Sequence, residues 1–311
     1  MDRKALFAFF LLFLLVLTFG CIGETKEEKK NNPGILNATI LINGIESNKI
    51  DLVSYQNAQV GVKIINHGTE KITNVTGRLL GCLDTNDARV DEILPNTQKY
   101  MSWSVKAPEL GQGEKINCPT TIRLCFDYTS KGYTDLVFLP ENYADVPPVG
   151  SSTSAGDFLK FDYAFGTNRV TNEGNNEFSG NIYLRNVGPG WVDYATYSDG
   201  LAMNTIKNIT ITIIGDNIEI IKFGDLNQST LNNNGWLSDD NKNITISTDN
   251  IGNYKYLLKL VQGKELFFKM SMNVTNPSEF QDSTKIYNLK TEANYGYCID
   301  IATIDTTLKG R

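Results

Sequence analysis

"VGVKIINHGTEKITNVTGRL" (60–79) places apolar residues at every second position on both sides of a turn. Val60, Val62 and Ile64 share one phase, and Asn66-His67-Gly68 supplies the reversal. A period of two rather than 3.6 predicts strands, and an Asn-x-Gly step between them predicts a tight turn. The same pattern extends outward in both directions. In "ILNATILING" (35–44) Leu36, Ala38, Ile40 and Ile42 fall on one face. In "QKYMSWSVKAP" (98–108) Met101, Trp103 and Val105 share a face opposite Ser102, Ser104 and Lys106, which puts Trp103 in the core. "TTIRLCFDY" (120–128) turns Ile122, Leu124 and Phe126 inward, and "TDLVFLP" (134–140) closes the unit. Short alternating strands with turn signals every 8–12 residues predict an antiparallel β-sandwich over 35–140.

"ENYADVPPVGSSTSAGD" (141–157) carries two prolines followed by small polar residues, the composition of a linker, here placed at 141–156. Beyond it the first order of strands returns in looser form. "GNIYLRNVGPGW" (180–191) has its own Asn-x-Gly turn at Asn186 and Gly188. "IKNITITII" (206–214) parallels "KITNVTGRL", and "KELFFKMSMNVTNP" (264–277) parallels "QKYMSWSVKAP". "STKIYNLKTEANYGYCIDI" (283–301) parallels "TTIRLCFDYTSKGYTDL", with longer insertions between 215 and 263. The expectation is an all-β chain of two tandem immunoglobulin-like antiparallel β-sandwiches, 35–140 and 157–311, behind an N-terminal signal or anchor helix.

The run from "VGVKIINHGTEKITNVTGRL" through "ILPNTQKYMSWSVKAP" resembles the CARDB group, an immunoglobulin-like, adhesion-related domain of prokaryotic surface proteins. Asn66, Gly68, Pro95, Trp103, Ala107 and Pro108 carry the resemblance over roughly 80 residues. It implies a spacer or interaction module and no catalytic residues.

The N-terminus sets the expected address. Asp2, Arg3 and Lys4 precede an apolar run from Ala5 to Phe19, then Gly20 and Cys21 in "LTFGCIGE" (17–24). The run is shorter than the roughly 20 residues of a spanning helix and fits a secretory signal over 1–20. Cys21 after Gly20 resembles the lipidation site of a lipoprotein signal, and "GCIG" looks like archaeal surface lipoproteins. Thr18 and Phe19 depart from the usual residues before such a cut, and the alternative is an uncleaved signal anchor with Cys21 incidental. Residues 21–34 read as a charged tether. Either way the expected location is extracytoplasmic and anchored to the cell membrane.

The chain has 311 residues, 29 basic and 35 acidic. Loss of 1–20 would leave 27 basic (29 less Arg3 and Lys4) and 34 acidic (35 less Asp2), a net charge of −7. No basic face for nucleic acid is expected from that balance. Apart from Cys21 there are four cysteines, an even number that suits disulfides in an exported chain. Cys82 ends one strand and Cys118 precedes its expected antiparallel neighbour, which makes Cys82–Cys118 the preferred bridge. Cys125 and Cys298 either join the two sandwiches or remain thiols; the sequence leaves both open.

Nothing in the sequence points to catalysis or to a cofactor. The only histidine, His67, lies in a turn, and no nucleophile, zinc-protease or phosphate-loop motif occurs. Asp239, Asn241 and Asn243 alternate like the opening of a calcium loop, but Ile244 stands where glycine is needed, so a polar turn is favoured. Asn37, Asn74, Asn208, Asn227, Asn243 and Asn273 are N-glycosylation acceptors by sequence. Trp191, Tyr194, Tyr197 and Trp236, beside Asp193 and Asp199, form the candidate binding patch; the plainer alternative is that they plug the sandwich ends. The expected role is a non-enzymatic adhesion, interaction or structural module of the cell envelope, with an envelope protein or glycan as partner. The rival is an extracytoplasmic carbohydrate- or solute-binding lipoprotein.

Overall fold

The structure is a computed structural model that describes residues 35–83, 85–145, 148–173, 176–193 and 204–311. The first half contains β1 (Leu36–Ile42), β2 (Ile45–Glu46), β3 (Lys49–Val53), β4 (Asn57–Asn66) and β5 (Ile72–Leu80). It continues with β6 (Ala88–Ile93), β7 (Gln98–Lys106), β8 (Lys115–Asn117) and a long β9 (Thr120–Pro140). The second half opens with β10 (Ser152–Ala155), β11 (Leu159–Phe165), β12 (Asn168–Val170), β13 (Glu177–Asn186) and β14 (Trp191–Val192). Then come β15 (Asn208–Ile214), β16 (Ile218–Phe223), β17 (Leu226–Asn227), a short helix α1 (Gln228–Asn233) and β18 (Asn243–Ser247). β19 (Glu265–Val274) and β20 (Lys285–Lys309) complete the chain, which is all-β as expected.

Three sheets result. One has the order β2-β1-β4-β7, a second β11-β13-β19-β16-β17, and the third runs β18-β15-β20-β9-β5-β6 with short strands at its margins. The alternation read from the sequence decides which face is buried. Val60, Val62 and Ile64 of β4 are fully buried, as are Ile122 and Leu124 of β9. Trp103 packs inward, and Gly77 of β5 lies beneath its ring. A Cβ at Gly77 would fall 2.7 Å from the indole, so the facing sheets touch where only glycine fits. Gly77→Val is therefore expected to cost about 1–3 kcal/mol through overpacking. Urea unfolding measures it, and an unchanged midpoint would mean that the indole moves aside freely.

The two halves correspond strand by strand. β1-β4-β7 matches β11-β13-β19, with Leu36 opposite Asn66 and Leu159 opposite Asn186. β5 pairs antiparallel with β9 as β15 does with β20, and β6 and β18 lie outside them. The central order β18-β15-β20-β9-β5-β6 thus reads alike from either end, about a pseudo-twofold axis between β9 and β20. Their antiparallel register runs from Phe138↔Lys285 to Thr120↔Ile304, with its midpoint near Thr129 and Asn294.

Each long strand continues past that midpoint into the other half. The end of β9 pairs with β10 and, in parallel, with β12, while the end of β20 pairs with β8 and, in parallel, with β3. Part of the stretch at 141–156 is accordingly a strand, β10, folded back on β9. Ile35–Arg311 form one compact unit because both sandwiches share this sheet. An aromatic cluster fills the seam. Phe158 lies 4.5 Å from Tyr297, 5.0 Å from Tyr128 and 5.3 Å from Phe126, centroid to centroid. Tyr295 joins it with its hydroxyl 2.8 Å from Ser130 Oγ, accepting a further bond from the Leu159 N–H at 3.2 Å.

The two Asn-x-Gly turns are built alike. Asn66 donates through Nδ2 to the carbonyls of Glu70 and Ile93, at 2.9 and 3.1 Å, and its Oδ1 accepts from Gly68 N–H. Asn186 donates to the carbonyls of Gly190 and Gly263, at 3.0 and 3.3 Å, and accepts from Gly188 N–H. Each side chain satisfies backbone groups that the strand end would otherwise leave unpaired.

Candidate functional site

Both bridges open to the four cysteines are formed. Cys82–Cys118 joins the end of β5 to the approach to β9, with Cα atoms 6.0 Å apart. Cys125–Cys298 links directly opposed residues of β9 and β20, with Cα atoms 4.1 Å apart. This second bridge crosses the seam on the face of the central sheet turned away from the aromatic cluster. Trp191 is opposite Cys298 and half-buried beside it. The Arg123 guanidinium lies 4.6 Å over the Trp191 ring and binds both oxygens of Asp300, at 2.7 and 3.1 Å. That carboxylate holds the Arg123 pKa above its ordinary value. Arg123 therefore occupies one face of Trp191.

Of the four aromatics in the candidate patch, Trp191 and Trp236 are among the described residues. Tyr194, Tyr197 and Asp199 lie outside the described residues, as do Cys21, residues 1–34 and the whole expected signal. Trp236 is 2 % exposed and packs edge-on against Tyr254 at 5.5 Å, so it cannot stack on a ligand. The left-handed Gly235, at φ +67°, lies between α1 and that ring. Burial of so large an apolar surface outweighs the indole N–H left without a partner.

Asp239, Asn241 and Asn243 do not converge. Asp239 is exposed, Asn241 donates to Glu219 at 3.3 Å, and Asn243 Oδ1 is buried without a hydrogen-bond partner. Asp240 instead accepts from Ser238 Oγ at 2.6 Å and Lys242 N–H at 3.2 Å, and Ser238 first of all holds its carboxyl below the usual range. The segment is a polar turn closed by Asn241 N–H to the Ser238 carbonyl. No group of three or more His, Cys, Asp or Glu side chains able to hold a metal occurs among the described residues. His67 is exposed on its turn.

Among the glycosylation acceptors, Asn37 and Asn227 are exposed, and Asn227 Oδ1 caps α1 by accepting from Thr230 N–H at 2.9 Å. Asn74 is also exposed but donates to Asp127 at 2.6 Å. Asn208 accepts from Asn294 at 2.8 Å, and Asn243 and Asn273 are half-buried in β18 and β19.

A paired set of exposed aromatics lies elsewhere, at the outer face of the β11-β13-β19-β16 sheet. Phe267 of β19 and Tyr256, each 50 % exposed, border a shallow groove of about 410 Å³ with Lys222, Lys269 and Asp225. Tyr183 of β13 is directly opposite Phe267, with rings 5.1 Å apart. Arg185 covers Tyr183 at 5.0 Å and is paired with Asp162 and Glu265. Tyr256 donates to Asp225 at 2.9 Å, and burial first, then that carboxylate, pushes its hydroxyl up to about 12. The sequence does show this signal: in "KELFFKMSMN" Phe267 falls on the exposed phase between Glu265 and Lys269.

Among solved structures the chain is similar to the secreted serine protease VesC from Vibrio cholerae. That match has 6% identity, covers 77% of this chain and 48% of that one, and has a TM-score of 0.18. It is also similar to the C-terminal globular domain of an oligosaccharyltransferase from Pyrococcus abyssi, at 11% identity, 88% and 50% coverage and a TM-score of 0.28. The collagen adhesin of S. aureus matches at 9% identity, 89% and 94% coverage and a TM-score of 0.18. The chain spans about half the length of the first two. Likeness at this level carries no argument about ligand or reaction, and the all-β assignment rests on the chain's own strands. No family model and no curated protein matches the chain.

Proposed function

We propose that this chain is a non-enzymatic interaction module of the cell envelope, held outside the cytoplasm by a lipid on Cys21 or by an uncleaved signal anchor. The observation that carries the reading is a disulfide-stapled pair of sandwiches that presents exposed aromatics on an open sheet face. Two bridges, one of them across the seam, suit an oxidising compartment. A surface formed by regular strands holds its side chains at fixed spacing, which suits recognition of a partner. The CARDB-like order of strands in the first half agrees with an adhesive or spacer role, although fold alone does not decide function.

Cross-linking on intact cells tests the role, with an envelope protein or glycan recovered on the chain as the expected result. Recovery of cytoplasmic partners alone would overturn it. Mass spectrometry of the mature N-terminus tests the anchor separately: a chain beginning at Cys21 with added lipid is expected, and an intact residue 1 would leave the signal anchor.

A further inference from the structure

We infer that the groove between Phe267 and Tyr256 binds an acidic glycan, with sugar rings against the aromatic faces and carboxylates at Lys222 and Lys269. The inference rests on the interaction-module reading and names the chemistry of its partner. Its volume of about 410 Å³ falls within the roughly 300–1,000 Å³ of small-ligand sites. Phe267 stands on β19 opposite Tyr183 of β13, and that backbone pairing fixes its position. Tyr256 is held by its hydrogen bond to Asp225, so neither ring loses much freedom when a ligand arrives.

Charge selects among possible occupants. Arg185, the nearest guanidinium, is engaged by Asp162 and Glu265. Among the described residues no ion pair involves Lys222 or Lys269, although both line the groove. Two cations without carboxylate partners on an otherwise acidic protein match an anionic ligand. The exposed faces of Phe267 and Tyr256 match the C–H faces of pyranose rings. Asp225 keeps acceptor capacity for a sugar hydroxyl. An acidic peptide would use the lysines but has no flat C–H face to set on the rings.

Calorimetric titration of the purified mature protein with oligogalacturonate, cello-oligosaccharide and poly-glutamate tests this directly. Oligogalacturonate is expected to bind, with affinity falling as salt rises. Phe267→Ala should weaken it at least tenfold, and Lys222→Ala with Lys269→Ala should weaken it while removing most of the salt dependence. Tyr256→Phe keeps the ring and is expected to retain most of the binding. All of these positions are at the surface, and circular dichroism confirms the fold of each variant. No heat with oligogalacturonate, or equal binding by Phe267→Ala, overturns the inference. Equal affinity for the neutral oligomer overturns its charge component, and equal affinity for poly-glutamate overturns its sugar component. Any of these leaves the envelope role to be decided by the cross-linking experiment.

Discussion

Replacing Cys125 and Cys298 together by alanine is expected to lower the unfolding free energy by about 5 kcal/mol. The bridge closes a loop with a sequence separation of 173, against 36 for Cys82–Cys118. Loop-closure entropy grows with the logarithm of that length, so the chain-entropy model assigns about 5 kcal/mol to the long loop and about 4 kcal/mol to the short one. The bridge also joins the two strands on which both sandwiches depend. Without it, β9 and β20 are held by backbone pairing, by the aromatic cluster around Phe158 and by side-chain contacts such as Arg123–Asp300 and Ser130–Tyr295, none of them covalent. Guanidinium unfolding of the oxidised parent and of each double variant measures both costs. A Cys125→Ala/Cys298→Ala protein as stable as the parent would show that the unfolded chain is already compact enough to hold these strands together.

That bridge also marks where the sequence stops being legible. Cys82–Cys118 follows from the order of strands, because β5 and β9 are neighbours within one sandwich. Cys125–Cys298 requires β9 and β20 to be neighbours, and no local pattern says so. The obstacle is the middle of β9. "TSKGYT" (129–134) looks like a turn, since Ser130, Gly132 and Thr134 are small or polar. In the structure these three are inner-face positions of a continuous strand, with Gly132 against Phe161 and Tyr163 of β11 and Ser130 bonded to the Leu159 carbonyl. A side chain at Gly132 would collide with Phe161 and the Tyr163 hydroxyl, so packing against the second half selects residues that mimic a turn. The duplication itself was legible, because Asn66 and Asn186 serve the same purpose at the same place in each half. The exchange of strand ends was not, because it depends on β9 and β20 pairing through residues more than a hundred positions apart.

The aromatic sites divide in the same way. Trp103 is placed by its own strand phase. Trp236 and Trp191 sit outside long strands and give no phase to read, and one proves buried while the other is covered on one face by Arg123. Phe267 does have a phase, and its exposure follows from the burial of Leu266 and Phe268 on either side. A search weighted toward tryptophans in loops passes over it.

The seam makes the protein sensitive to alkali, and its three tyrosines are expected to contribute a loss of stability of up to about 4 kcal/mol per pH unit above pH 10. Tyr128, Tyr295 and Tyr297 are fully buried on β9 and β20. Tyr128 donates to Asp157 at 2.5 Å, and Tyr297 donates to Asn186 at 3.1 Å and accepts from Gly190 N–H at 2.8 Å. Burial, before any other cause, raises all three hydroxyls, Tyr297 to about 12 and the other two further. In the unfolded chain each hydroxyl returns to the ordinary tyrosine value of about 10. A raised folded pKa means that the folded state keeps its proton when the unfolded state has lost it. The contribution is therefore complete below pH 10 and is lost as pH rises toward the folded values. Each group adds a slope of up to about 1.4 kcal/mol per pH unit, and three together give about 4. Urea unfolding at a series of pH values above 9 measures the slope, and Tyr297→Phe should reduce it by up to about 1.4 kcal/mol per pH unit. The difference in tyrosinate absorbance between the parent and Tyr297→Phe should rise in one step with the loss of β-sheet ellipticity. A rise in that difference while the protein stays folded would show that water reaches the Tyr297 hydroxyl and that the seam between the halves opens without unfolding.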